Sequence, residues 1–180
     1  MTRPIIYVHG YGSSGNTDTA VNLRRILGDD HTVISPSYDG SKPVEAARLL
    51  EDLVAQHAAE KPVVVGTSLG GFFANFLALT AGVDAVIVNP TLTPSSSLVK
   101  YGENLEVLTA YKELQARAAA GPHKPQRVVV VGMRDDVVDP HTNGLQLKDV
   151  SSTVMLEMGH RIEPAFYGTI ADLARKLAQG

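Results

Sequence analysis

The chain has 180 residues, 44% of them hydrophobic and 19% charged. That is the balance of one globular domain long enough to bury roughly 70% of its unfolded surface. The formal net charge is −3 and no Lys/Arg cluster stands out, which argues against a nucleic-acid groove or an anionic membrane surface. Cysteine is absent, which excludes disulfides, thiolate catalysis and cysteine-held metal.

The opening stretch MTRPIIYVHG has too short an apolar run for a signal peptide. No later run approaches the ~18 residues of a membrane span. A cytoplasmic protein is therefore expected.

In chain order, apolar β-branched runs predict strands at Pro4–Val8, Thr32–Pro36, Pro62–Gly66, Ala85–Val88, Arg127–Gly132 and Thr153–Glu157. Most are apolar on both faces, as strands covered by helices on two sides are. Helical spacing fills the gaps. Thr17–Leu27 carries Ala20, Leu23, Ile26 and Leu27 on one stripe. Val44–Ala59 carries Ala47, Leu50, Leu53 and Val54, with Pro43 suited to its first turn. Leu69–Thr80 is apolar throughout, and Pro164–Ala178 closes the chain. This alternation predicts a three-layer α/β/α sandwich around a mostly parallel sheet of about six strands. One domain, residues 1–180, is expected. Residues 91–126 separate two strands by an unusually long connection, hold a helix from about Asn104 to Ala119, and are read as a small cap over a site.

Residues 10–15, GYGSSG, match the dinucleotide fingerprint G-x-G-x-x-G. The stretch also approaches a phosphate loop, but Asn16 stands where the lysine belongs. With His9 before it, a third reading is an oxyanion loop. Residues 66–70, GTSLG, form G-x-S-x-G directly after an apolar strand and before a helix, which is the context of a nucleophile elbow. Gly66 and Gly70 leave room for the sharp turn. Ser68 is the candidate nucleophile, and the Leu69 N–H at the helix start points at a developing oxyanion.

A serine hydroxyl needs a base and an orienting acid. They are sought in the order Ser, Asp, His, each in a loop after its own strand. GMRDDVVD follows the fifth strand and GH the sixth. His160 is the candidate base. Asp135, three residues beyond Gly132, is the favoured acid, with Asp136 as competitor. Asp139 precedes Pro140 and reads as a helix cap. His31, His57 and His123 lie in polar stretches expected to be exposed, and His9 is expected to brace the first loop by hydrogen bonding.

These motifs, together with VIVNPTLTP and GHRIEPAF, resemble the small α/β-hydrolase esterases of the YqiA/YcfP (UPF0227-like) type over most of the chain. The resemblance implies a minimal α/β-hydrolase fold and a Ser68-His160-Asp135 triad. It also implies that the N–H of Tyr11, after Gly10, joins that of Leu69 in the oxyanion hole. The cap is shorter than in such proteins, and Met158-Gly159-His160-Arg161 replaces their more usual glycine-rich run.

The expected activity is cleavage of a small-molecule carboxylic ester or thioester, with no metal and no organic cofactor. A dinucleotide-binding protein and a catalytically silent hydrolase-fold interaction module are the alternatives. Leu92, Leu98 and Tyr101 are candidates for the substrate pocket. Leu105, Leu108 and Tyr111 either line it or dock the cap helix to the body.

Overall fold

The computed structural model describes residues 2–180. The sheet has six parallel strands: β1 (Ile5–Val8), β2 (Val33–Ile34), β3 (Val63–Thr67), β4 (Asp84–Val88), β5 (Arg127–Gly132) and β6 (Ser152–Leu156). Their spatial order is β2-β1-β3-β4-β5-β6. One face is covered by α1 (Asp18–Leu27) and α6 (Tyr167–Gln179). The other is covered by α2 (Pro43–Gln56), α3 (Leu69–Ala81) and α5 (Leu105–Ala119). The architecture is the expected three-layer α/β/α sandwich around a parallel sheet.

The strands are apolar on both faces because both faces are core. Ile6, Val8, Val64, Ala85, Ile87, Val129 and Val131 pack toward α2, α3 and α5. Their alternate neighbours Ile5, Tyr7, Val63, Val65, Val86, Val88, Val128 and Val130 pack toward α1 and α6. The period of two along each strand thus divides one apolar run between two cores. The edges differ. Only Val33–Ile34 of the expected Thr32–Pro36 strand joins the ladder. Beyond it, Ser35 and Ser37 bond instead to the carbonyl and N–H of Gly15 in the loop after β1. β6, the other edge, exposes Ser152, Thr153 and Met155.

Helix boundaries follow capping chemistry. Thr17 caps α1 by accepting from the Ala20 N–H at 3.1 Å, and Asn104 caps α5 by accepting from the Val107 N–H at 3.0 Å. Helix α2 stops at Gln56, short of the expected Ala59, and a 3₁₀ turn at Ala58–Glu60 follows. Residues 164–166 are likewise 3₁₀ before α6 begins. Helix α3 is buried along Leu69–Ala78, sandwiched between the sheet and its neighbouring helices. His31 is buried rather than exposed, with Nδ1 2.9 Å from the Arg3 carbonyl oxygen.

The long connection between β4 and β5 has two parts. Residues 94–101, comprising the short helix α4 (Pro94–Ser97) and a 3₁₀ turn at Leu98–Tyr101, sit near the carboxyl edge of the sheet. Helix α5 lies in the covering layer beside α3. Its buried stripe is Val107, Tyr111, Leu114 and Ala118, spaced four, three and four residues apart. Leu105 lies off that stripe and is 79% exposed, and Leu108 is half-buried. Among the described residues, no helix is long and apolar enough to cross a membrane.

The tightest approach in the fold lies where α3 begins. A Cβ on Gly70 would stand 2.0 Å from the Val8 carbonyl oxygen, and one on Gly66 2.0 Å from that of Gly70. Both obstacles are backbone and cannot rotate away. Gly70→Ala is therefore expected to cost about 3 kcal/mol of stability, read as a lowered urea midpoint. An unchanged midpoint would show that β1 and α3 can separate at no cost.

Candidate active site

The carboxyl ends of β1, β3, β4, β5 and β6 carry the sequence-predicted residues into one region. Ser68 follows β3 and precedes the first residue of α3. Its backbone sits at φ 56°, ψ −118°, a sparsely populated conformation that costs about 1–3 kcal/mol. Hydrogen bonds on both sides hold it there. The Ser68 N–H donates to the Val88 carbonyl at 3.0 Å. The Ser68 carbonyl accepts from Gly71 at 2.9 Å and from Thr91 at 3.0 Å.

Ser68 Oγ lies 3.0 Å from Nε2 of His160. The other nitrogen of that ring, Nδ1, lies 2.9 Å from Oδ2 and 3.1 Å from Oδ1 of Asp135. The Asp135 side chain is only 2% exposed, and the imidazole 17%. Burial alone raises the pKa of such a carboxyl. The His160 contact and two N–H donors, Val137 and Val138 at 2.9 Å each, outweigh burial and hold it below its ordinary value. Asp136 is exposed and makes no contact with His160 among the described residues. Asp139 accepts from the His141 N–H at 2.9 Å and braces its own turn. Asp135, rather than either competitor, meets the imidazole.

Leu69 opens α3, so its N–H has no acceptor one helical turn back. It borders a cleft of about 400 Å³ together with Ser68 and Tyr11. The Tyr11 ring stacks on Tyr101 at 5.2 Å, and its hydroxyl donates to Glu103, so the 98–103 strap is tied to the first loop. Hydrogen bonding to the Glu103 carboxylate pushes the Tyr11 hydroxyl up to about 12. Lys100 Nζ, 3.1 Å from the Val137 carbonyl, ties the strap to the acid loop as well.

Leu98 and Tyr101 border the cleft, with Val99, Val137 and Val138. Leu92 does not border it. Leu92 is held by its N–H to Asn143 Oδ1 at 3.1 Å, while its neighbour Thr91 takes the cleft side. Leu105, Leu108 and Tyr111 lie outside the cleft lining, and Tyr111 donates to the Gly40 carbonyl at 2.6 Å.

His9 is buried and stacks on Tyr38, with ring centroids 4.2 Å apart. Its Nδ1 lies 2.8 Å from the Gly10 carbonyl and its Nε2 accepts from the Tyr38 N–H at 3.3 Å. One nitrogen donates and the other accepts, so the ring is the neutral tautomer. Burial lowers its pKa, against the partial opposition of the Gly10 contact. Gly10 itself lies against Ser68, where a Cβ would stand 3.3 Å from that of the serine. Gly15, the third glycine of the GYGSSG stretch, does not open helix α1. It lies against the segment just after β2, where a Cβ would stand 2.1 Å from the Ser35 carbonyl oxygen. That glycine is spent on packing, not on a pyrophosphate.

Sequence reasoning missed Asn89, at the end of β4. It is 4% exposed and sits at φ 42°. Its amide donates to the carbonyls of Gly159 at 3.0 Å and His160 at 2.9 Å, and its Oδ1 accepts from the Gly132 N–H at 2.7 Å. One side chain thus links the base loop to the start of the acid loop. The signal was an Asn-Pro pair directly after an apolar strand, where asparagine tolerates a left-handed backbone.

Two outcomes follow from these environments. Asn89→Ala removes three hydrogen bonds, one of them fully buried, and is expected to destabilise by about 2–4 kcal/mol. Asn89→Asp is expected to do worse, because it sets an anion against two carbonyl oxygens. Chemical denaturation of both variants checks the order. The His9 pKa is depressed on folding, so between its folded value and about 6.5 the unfolded chain binds more protons. The stabilisation is full above that window and is lost as pH falls through it. His9→Gln is expected to flatten the fall in urea midpoint between pH 7.5 and 5 relative to wild type.

The comparisons with known proteins agree with this architecture. The model of the uncharacterised protein family UPF0227 matches residues 4–168. A UPF0227 protein of Vibrio atlanticus (strain LGP32) is 24% identical over 159 residues, covering 83% of this chain and 86% of that one. Among solved structures, the monoacylglycerol lipase of Paleococcus ferrophilus superposes with a TM-score of 0.74 at 15% identity, covering 98% of this chain and 97% of that one. Mouse alpha/beta hydrolase domain-containing protein 10 does so with a TM-score of 0.74 at 19% identity, covering 98% and 91%. These likenesses carry the fold, and the family match decides the affiliation: the chain belongs to the UPF0227 family.

Proposed function

We propose that the chain is a serine hydrolase that cleaves small-molecule carboxylic esters or thioesters through an acyl-enzyme intermediate. One observation carries the reading: Ser68 Oγ, His160 Nε2 and the Asp135 carboxylate form a hydrogen-bonded line of 3.0 and 2.9 Å at the edge of an open cleft. A fold shared with a lipase supports it.

In this reading, His160 Nε2 takes the Ser68 proton as Oγ attacks the carbonyl carbon. The N–H groups of Tyr11 and Leu69 donate to the oxyanion of the tetrahedral intermediate, and that of Leu69 sits at the positive end of α3. The intermediate collapses to an acyl-serine. The leaving alkoxide or thiolate takes the proton from Nε2. Water then attacks the acyl carbon and gives a proton to the same nitrogen. The second tetrahedral intermediate collapses, the C–Oγ bond breaks, Oγ takes the proton back from Nε2, and the acid leaves. Asp135 stays ionised throughout. It accepts from Nδ1–H, fixes the tautomer and offsets the imidazolium charge. No metal or organic cofactor takes part.

A fluorophosphonate probe is expected to label wild-type protein at Ser68 and to leave Ser68→Ala unmarked. Asp135→Asn is expected to lower kcat by on the order of 10⁴, because the amide favours the wrong tautomer. Asp136→Asn is expected to change kcat little. Steady-state hydrolysis of a chromogenic ester reads both. An unlabelled wild type, or a larger loss in Asp136→Asn, would sink this assignment.

A further inference from the structure

Thr91 presents a polar group that the fold does not use. Its N–H donates to the Ser68 carbonyl at 3.0 Å, which holds it beside the serine, and the residue is 6% exposed. Its hydroxyl has no hydrogen-bond partner among the described residues. Nor is it sealed: among them, the only enclosed side-chain N and O atoms without partners are Nε of Arg127 and of Arg175. The Thr91 hydroxyl is therefore not fully enclosed, and the residue borders the cleft together with Ser68.

Stripping water from such a hydroxyl without giving it a new partner costs about 1–3 kcal/mol. Valine would fill the same volume without that cost. The adjoining wall has the same character. Ser97 borders the cleft with a hydroxyl that also lacks a partner among the described residues, and Lys100 brings an ammonium that spends one donor on the Val137 carbonyl. Leu98, Val99, Val137 and Val138 supply apolar surface to the same cleft. A plain alkyl group seated here would strip water from these hydroxyls and return nothing. A group carrying an oxygen would replace that water.

We propose that Thr91 is a specificity-determining residue, selecting esters that carry a hydroxyl or keto oxygen within a few bonds of the scissile carbonyl. The proposal rests on the hydrolase reading of Ser68. The oxygen can be supplied by the acyl part or by the alcohol part, and matched substrate pairs separate the two.

The experiment measures kcat/KM for 4-nitrophenyl butyrate against 4-nitrophenyl 3-hydroxybutyrate, and for ethyl butyrate against 2-hydroxyethyl butyrate. Wild type, Thr91→Val and Thr91→Ser are compared, with Thr91→Ala in reserve should the valine variant fail to fold. Wild type is expected to favour the hydroxylated member of one pair by roughly three- to tenfold, the worth of one neutral hydrogen bond. The pair that shows the preference identifies the part of the substrate that is read. Thr91→Val is expected to bring that ratio to about 1, and Thr91→Ser to retain it. A purely structural role for Thr91 would alter both members of a pair alike and leave the ratio in place. Ratios near 1 for wild type in both pairs, or an undiminished ratio in Thr91→Val, would overturn the proposal while leaving the hydrolase reading intact. Hydrolysis of none of the four esters, with Ser68 unlabelled by fluorophosphonate, would overturn both.

Discussion

The backbone of Ser68, at φ 56° and ψ −118°, is the constraint on which the rest of the site depends. An L-residue pays about 1–3 kcal/mol to stay there, so its surroundings must over-determine it. They do so in two ways. The Val88, Gly71 and Thr91 hydrogen bonds fix both peptide groups of the turn. The missing side chains of Gly66 and Gly70 let α3 start in contact with the carbonyl oxygens of Val8 and His9. A helix that began one turn later would not lift the hydroxyl over the sheet edge. The parallel sheet is therefore a precondition of the site: β1 and β4 must flank β3 for the elbow to have walls.

The strand order explains why the candidate donors meet. Going outward from β1 and β3, the chain winds in opposite directions, toward β2 on one side and toward β4 on the other. Helix α1 follows β1 onto one face and α3 follows β3 onto the opposite face. The two loops part at that point and leave a crevice at the carboxyl ends of the strands, where open α/β sheets bind ligands. Tyr11 lies on one lip and Leu69 on the other. The acid and base arrive from β5 and β6, farther along the sheet, and they need a brace across the gap. Asn89, from the intervening β4, spans it, bonding to Gly132 on one side and to Gly159 and His160 on the other.

The parts legible in the sequence were those with a local physical signature. The buried strands β1, β3, β4 and β5 show themselves as uninterrupted valine and isoleucine runs, since both faces are core. GTSLG is readable because only glycine fits beside backbone at 2.0 Å. Asp135 is readable from its distance to Gly132, because the same turn that ends β5 lets its carboxylate collect two backbone N–H groups. The rest depends on long-range packing. Nothing local tells Val33–Ile34 to stop pairing, since Ser35 and Ser37 are captured by a loop twenty residues earlier. The apolar residues of α5 admit two stripes, and contact with α3 selects Val107, Tyr111, Leu114 and Ala118 over the one containing Leu105. His31 looks polar and exposed until the Arg3 carbonyl is brought beside it. Asn89 is not singled out in the sequence because all of its side-chain partners lie 43 or more residues away.

His9 and His160 show how environment divides labour between identical side chains. Among the described residues, no carboxylate bonds to the His9 ring. It donates to one carbonyl, accepts from one N–H, stacks on Tyr38, and is held neutral by burial. Protonating it would turn its acceptor nitrogen into a donor facing the Tyr38 N–H, so it is poorly built to take a proton in turnover. It is well built to keep Gly10 against the serine. His160 has the opposite arrangement. Its Nδ1 faces a buried, ionised Asp135 and its Nε2 faces Ser68 Oγ. A proton arriving at Nε2 leaves every existing contact in place and gains a charge-assisted bond at Nδ1. In the proposed reaction, therefore, only His160 can gain and lose a proton without rebuilding its surroundings. His9 works on the same chemistry at one remove, by keeping fixed the loop that carries Tyr11.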